Sequence, residues 1–333
     1  MTQAGVRSSL LVAGALLLCA CAGAAAPETT SGSIATSIAT STVVSSSTSE
    51  SAPPDDTTDD TTIVTEPSGG EPVDAASLAV ELSTIEAGLR ASDVSPAVSD
   101  ELGRRQQLAY RVVNRHPEWH SQLLELVDPI AVGPLTFHLA ARQALVDHSA
   151  DRPPADPVTT LPAWTIVAPL PIDELRSYYD EAEAATGVPW QYLAAIHFQE
   201  TRMGRVVGVS SAGAVGPMQF LPSTWAACCE GDPTVARDAI LGAARYLAMH
   251  GAPADMTAAL TAYNPNTGYV GAVTAYAQNL IADERAYLGY HGWEVFYGTS
   301  EGTVRLPAGY STTAPIAVAT YLRDHPQDLL SDV

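Results

Sequence analysis

Glu200 is a lone carboxyl at the end of an apolar run, and the residues around it decide what chemistry it can do. It follows Ile196, His197 and Phe198 and precedes Ser210-Ser211-Ala212-Gly213-Ala214-Val215-Gly216, a stretch with little side-chain bulk. A carboxyl buried at a helix end without a positive partner keeps its proton near neutral pH, which is what a general acid needs. The plain alternative is an exposed helix-end Glu paired with Arg202 or Arg205. The loop glycines let a backbone approach a ligand closely. Gln219, set among Pro217, Met218 and Phe220, offers donors and an acceptor that suit an amide or a hydroxyl. Tyr263 and Asn264, followed by Asn266, Gly268 and Tyr269, make a second polar and aromatic corner. One acid, amides and aromatics together fit a sugar site. Tyr263 is equally readable as core packing, and Gln219 as a brace for its own loop. Most glycosidases use two carboxylates. Asp232 and Asp238 are the available neighbours, and Asp238 is equally readable as a first-turn helix charge.

These residues need helices to hold them. Residues 172–185 read as a helix with Leu175, Tyr178 and Tyr179 on its apolar side, ended by Gly187. Pro189 suits the first turn of the next helix, which runs through Trp190, Leu193 and Ile196 to Glu200. Pro222 opens a short helix carrying Trp225, and 236–250 and 256–263 are two more, the second stopped at Asn264-Pro265. Val270, Val273, Tyr276, Ala277 and Leu280 mark another. In 291–333 the pattern predicts a small hairpin from 295–297 and 303–306, then a short helix over 316–322. Upstream, 73–150 reads as a helical spacer region, with one of its helices begun beyond Pro134 and running over 135–145. Its His116, His120, His138 and His148 fit no compact metal motif. Cys228 and Cys229 are adjacent and bridge only through a strained eight-membered ring, so the sequence does not imply a routine structural disulfide.

The chain has 333 residues and a formal net charge of -21, and its 16 basic residues are all arginine. That balance argues against a nucleic-acid partner, whose backbone wants a positive surface. Arg7, an apolar run over 10–18 and Leu18-Cys19-Ala20-Cys21 read as an export signal with a lipoprotein box over 1–21. The expected consequence is an exported protein held at the outer face of the cell membrane by a lipid on Cys21. Residues 22–72 are rich in Ser, Thr, Pro and Asp and read as a disordered tether.

The region 165–290 resembles the catalytic domain of lytic murein transglycosylases, which have a goose-type-lysozyme-like helical fold. The family pattern is a helix ending in Glu-Ser, a Ser-x-x-Gly-x-x-Gly-x-Met-Gln block, and an Ala-Tyr-Asn-x-Gly block. Here these are Gln199-Glu200-Thr201, then Ser210 to Gln219, then Ala262-Tyr263-Asn264-Pro265-Asn266-Thr267-Gly268. Thr201 replaces the usual Ser, and the third block is longer than the common form. Gly216-Pro217-Met218-Gln219-Phe220 is closest to the membrane-bound B-type enzymes. The resemblance implies a mainly α chain: a lysozyme-like catalytic domain behind a helical spacer and a disordered tether. It implies cleavage of peptidoglycan glycan strands without a metal or an organic cofactor. Glu200 would protonate the oxygen between N-acetylmuramic acid and N-acetylglucosamine, with the substrate acetamide stabilising the cationic centre. Glu200 would then act as base while the muramyl 6-hydroxyl closes onto C1, giving 1,6-anhydromuramic acid. Ser210, Gly216, Met218, Gln219, Tyr263 and Asn264 would line the substrate site, and Tyr276 would orient Glu200. Water in place of the 6-hydroxyl would make a muramidase, and loss of chemistry would leave a glycan-binding module.

Overall fold

A computed structural model describes residues 72–150 and 156–330. The anticipated lipoprotein box with Cys21 and the tether therefore lie outside the described residues. The architecture is mainly helical, as expected. Helices α1 (Ala75–Leu89), α2 (Pro96–Arg115), α3 (His120–Leu126) and α4 (Pro129–Ala150) precede α5 (Ile172–Thr186) and α6 (Trp190–Thr201). Then come α7 (Pro222–Cys228), α8 (Ala236–Met249), α9 (Met256–Tyr263), α10 (Thr267–Ala282), α11 (Ala286–His291) and α12 (Val318–Asp324).

Local chemistry explains most boundaries. Asp74 caps α1 in a reciprocal box with Ser77, and Gly187 ends α5 with φ +77°. Asp255 and Asn266 cap α9 and α10 through their side-chain oxygens. One expectation fails: α4 does not start beyond Pro134 but at Pro129, with Pro134 inside it. Proline at this point removes one backbone hydrogen bond, and the burial of Ala131 and Leu135 on the core side outweighs that loss.

One continuous core runs from Ala75 through Leu135, Tyr179 and Leu193 to Val273 and Trp293. The helices of 73–150 thus share their apolar interior with those around Glu200. The most extensive helix pairing among the described residues joins α4 to α10. A second, smaller core gathers Leu161, Trp164, Ile166, Val206, Val304 and Tyr310. It is built from short antiparallel strands. β1 (Thr160–Leu161) pairs with β6 (Ile316–Ala317), and β2 (Thr165–Ile166) with β3 (Val206–Val207). β4 (Val295–Thr299) and β5 (Gly302–Leu306) form the anticipated hairpin, with Val295 opposite Leu306, and β7 (Leu329–Leu330) extends it. Cys228 and Cys229 are joined by a disulfide, a bridge that their adjacency alone did not imply. The C-terminal turn of α7 holds the two thiols side by side.

Candidate active site

The α6 helix is buried along almost its whole length, so its C-terminal end delivers Glu200 into the interior, with only 1% of the residue exposed. Neither carboxyl oxygen has a protein hydrogen-bond partner. Burial pushes the Glu200 carboxyl well above its ordinary value of 4.5, and the nearby Tyr269 hydroxyl pulls weakly the other way. The anticipated alternative, an ion pair with Arg202 or Arg205, is not formed. Arg202 lies 4.4 Å over the Phe198 ring and donates to the Phe198 carbonyl at 2.8 Å. Arg205 donates to the His291 carbonyl at 2.9 Å. Asp232 accepts hydrogen bonds from Thr234, and Asp238 accepts one from the Asp232 amide, so both acids serve their own loop.

Immediately after Glu200 the backbone reverses. Arg202 and Met203 adopt φ of +53° and +59°, before Gly204 at +81°. Two consecutive non-glycine residues in this region cost roughly 1–2 kcal/mol each, and the surrounding contacts must offset that. Thr201 supplies one of them: its hydroxyl donates to the Pro217 carbonyl at 2.6 Å and accepts from the Gly204 amide at 3.1 Å. The family serine is thus replaced by a residue that keeps the same hydroxyl, and that hydroxyl ties the end of α6 to the small-residue loop.

The loop itself is a tight hairpin turn. Val215 and Phe220 pair across it, and Gly216 turns it at φ +77°. A Cβ on Gly216 would lie 1.8 Å from the Pro233 carbonyl oxygen, so only glycine fits. Gln219, at φ +51°, donates from Nε2 to the Gly216 carbonyl at 2.9 Å. Its Oε1 is buried without a partner. The side chain therefore braces the loop and still presents one free acceptor. Ser210 accepts from the Ala214 amide at 2.9 Å and closes the other end of the loop. Met218 is fully buried in the main core, and its carbonyl accepts from the Tyr263 hydroxyl at 2.5 Å.

The opposite corner comes from the α9–α10 junction. Asn264 is 3% exposed and accepts from the Asn266 amide at 3.0 Å, and Asn266 in turn caps α10 at Tyr269. The longer Asn-Pro-Asn-Thr-Gly sequence is thus a turn that passes directly into a helix cap. Tyr263 and Tyr269 stack with ring centroids 6.5 Å apart, and both phenols are held far above their ordinary value by burial, with the Glu200 charge adding to it. Tyr269 is a tyrosine whose hydroxyl acts on Glu200. Tyr276, the tyrosine expected to orient Glu200, packs edge-on to Phe198 at 5.0 Å and acts on the Arg202 guanidinium. The signal for Tyr269 was present in the sequence, since it stands three residues after the Asn266 cap, at the start of the helix that faces α6.

Glu200, Tyr263 and Tyr269 thus come together, with the Gly216–Gln219 turn tied to Tyr263 through the Met218 carbonyl and Asn264 following Tyr263 at the end of α9. An apolar groove of about 470 Å³ lies on another side of the same turn, lined by His197, Met203, Val206, Val209 and Gly216 among others. Neither Glu200 nor Gln219 lines it. Among the described residues no group of His, Cys, Asp and Glu is arranged to hold a metal ion.

Residues 177–285 match the family described as Transglycosylase SLT domain. This domain contains every element that brings Glu200, Gln219 and Tyr269 together, and its lysozyme-like helical fold is the one the motifs implied. Over 127 residues the chain is 34% identical to the membrane-bound lytic murein transglycosylase F of Thiobacillus denitrificans (strain ATCC 25259 / T1). The match takes in 36% of this chain and 27% of that protein, so the chain spans little more than a quarter of the length of this relative. No solved structure matches the chain.

Proposed function

We propose that the protein is a peptidoglycan lytic transglycosylase that cleaves the β-1,4 bond between N-acetylmuramic acid and N-acetylglucosamine. The observation that carries this reading is the buried Glu200 carboxyl with no partner on either oxygen, inside an SLT domain. Such a group holds a proton it can give. In the first step that proton goes to the glycosidic oxygen as the C1–O bond breaks, and N-acetylglucosamine leaves with a free 4-hydroxyl. The acetamide oxygen of the muramyl residue takes up the positive charge at C1. In the second step the 6-hydroxyl attacks C1, its proton returns to Glu200, and the acetamide is released. The products are a 1,6-anhydromuramyl end and an unmodified carboxylic acid, with no water consumed. One carboxyl suffices, which agrees with the loop-bound roles of Asp232 and Asp238. The free Gln219 acceptor is suited to an acetamide N–H or a sugar hydroxyl. Ser210, Gly216 and the Met218 carbonyl keep that acceptor in place, and Tyr263 and Asn264 wall the opposite side.

Mass spectrometry of purified peptidoglycan after incubation with the protein tests this. Muramyl ends lighter by one water than reducing ends are expected. Reducing ends would make the enzyme a muramidase, with water in place of the 6-hydroxyl. No new ends of either kind, with binding to the wall retained, would make it a glycan-binding module.

The relative's name, membrane-bound, agrees with a place at the cell envelope for this chain. No helix among the described residues is long and apolar enough to cross a membrane. We place the attachment at Cys21, through a lipid. Metabolic labelling with a fatty-acid analogue checks it: label lost in Cys21→Ala supports the anchor, and label kept refutes it.

A further inference from the structure

The SLT domain begins at residue 177, but one of its catalytic-corner helices rests on a helix that ends before the domain starts. The contact between α4 and α10 is unusually close at two points. A Cβ on Gly271 would lie 2.6 Å from the Ala144 Cβ. A Cβ on Gly268 would lie 2.7 Å from the His148 Cβ and 2.9 Å from the Ala144 carbonyl oxygen. Backbones come this near only where both surfaces are made of small residues. His148 Nδ1 and the Thr267 hydroxyl, 3.1 Å apart, bridge the same pair of helices at the first residue of α10. Tyr269 sits between the two glycines, one residue from Gly268 and two from Gly271. Its amide is fixed by Asn266 at 3.0 Å, so its backbone has no separate freedom.

We propose that Ala144 is a positioning residue for catalysis: through Gly268 and Gly271 it sets how closely Tyr269 approaches Glu200. The proposal rests on the reading of Glu200 as the reacting acid. The first turn of α10 has Glu200 on one side and α4 on the other. A larger side chain at 144 would drive α10 away from α4, and the Tyr269 hydroxyl would leave its place beside the carboxyl. Tyr263 from α9 and Tyr269 from α10 are titratable groups that interact with Glu200, and Tyr276 of α10 and Arg202 lie against the Phe198 ring of the same helix. Tyr269 favours the ionised carboxyl, so its displacement raises the pH at which Glu200 loses its proton. A general acid works only while protonated, so the alkaline limb of the kcat profile should move to higher pH.

The experiment measures kcat and KM against pH on soluble, uncrosslinked glycan strands, using the full chain. The variants are Ala144→Leu, Ala144→Ser, Tyr269→Phe and the Ala144→Leu/Tyr269→Phe double variant. Ala144→Leu is expected to lower kcat by about ten- to a hundredfold, since displacements near 1 Å can cost that much. KM should hardly change, and the alkaline limb should shift upward. Ala144→Ser should keep the wild-type profile. Tyr269→Phe should shift the limb in the same direction, and adding Ala144→Leu to it should shift it no further. Ala144→Leu with an unmoved limb, or shifts that simply add in the double variant, would overturn the proposal. Should Ala144→Leu fail to fold, Gly271→Ala replaces it with the same expectations, because its new Cβ meets Ala144 from the other side. A wild-type protein that cleaves nothing would instead overturn the reading on which the proposal rests.

Discussion

Two glutamates in this molecule are equally hidden from water and are treated in opposite ways. Glu86 and Glu200 are each 1% exposed. Glu86 is surrounded by partners: Arg90 at 2.5 Å, the Gln106 amide at 2.7 Å and the Tyr110 hydroxyl at 3.4 Å. Arg90 continues the network to Asp283 at 2.5 Å, so the cluster binds α1 and α2 to the segment after α10. Burial pushes the Glu86 carboxyl up, and Arg90, Gln106 and Tyr110 pull against it. Glu200 has the burial with no charged partner, and only the Tyr269 hydroxyl pulls against it. A buried acid that holds a structure together is given partners; a buried acid left without them is kept protonated, and the fold offsets the loss elsewhere.

Breaking the two sites should separate these roles. The largest effect is expected from Glu200→Gln, which keeps the shape and removes the transferable proton. Strand cleavage, followed by release of soluble fragments, should fall by about 10²–10⁴-fold, while melting is no worse than in the wild type. Glu86→Ala should do the reverse. Removing one member of a buried pair costs about 3–5 kcal/mol, seen as a lower denaturant midpoint, whereas activity per folded molecule stays near wild type. A large activity loss in folded Glu86→Ala would erase the contrast.

The pH dependence of stability sharpens it further. The folded-state pKa of Glu200 is raised, so folding takes up a proton here between the unfolded value near 4.5 and the folded one. Its contribution to stability is complete below that window and is lost as pH rises through it. Melting curves should therefore show Glu200→Gln gaining on the wild type as pH rises from about 4.5. A constant difference across pH would mean that the carboxyl is not held protonated. The smallest effect is expected from Thr201→Val. Loss of the hydroxyl strands the Gly204 amide and should cost about 1–2 kcal/mol with a modest fall in kcat. Thr201→Ser should restore both, and an unchanged melting temperature in Thr201→Val would show that the tie to Pro217 carries no load.

The helices that carry the site were largely legible in the sequence, because punctuation and periodicity agree there. Gly187, Pro189, Pro222 and Asn264-Pro265 mark ends, and the apolar spacing between them gives α5, α6, α8 and α9 close to their observed limits. The β4–β5 hairpin was legible too, being local. The two-residue strands β1, β2, β3 and β6 were not, since their pairing partners lie far away in sequence and two residues carry no alternation. Within the site, Glu200 and the Gly216–Gln219 turn stand out by residue type. What residue type does not show is distance. It cannot say that the Met218 carbonyl accepts from the Tyr263 hydroxyl, or that Tyr269 acts on the acid. Nor does spacing reveal that α4 leans on α10, because the small residues responsible, Ala144, Gly268 and Gly271, leave no hydrophobic signature.

The protonation of Glu200 itself is the most direct test. Protein labelled with ¹³C at the glutamate carboxyl carbons can be titrated by NMR, with the Glu200→Gln variant assigning the resonance. The Glu200 signal is expected to stay that of a neutral acid well above the ordinary glutamate value of 4.5. A Glu200 signal that titrates at that ordinary value would contradict its assignment as the buried proton donor.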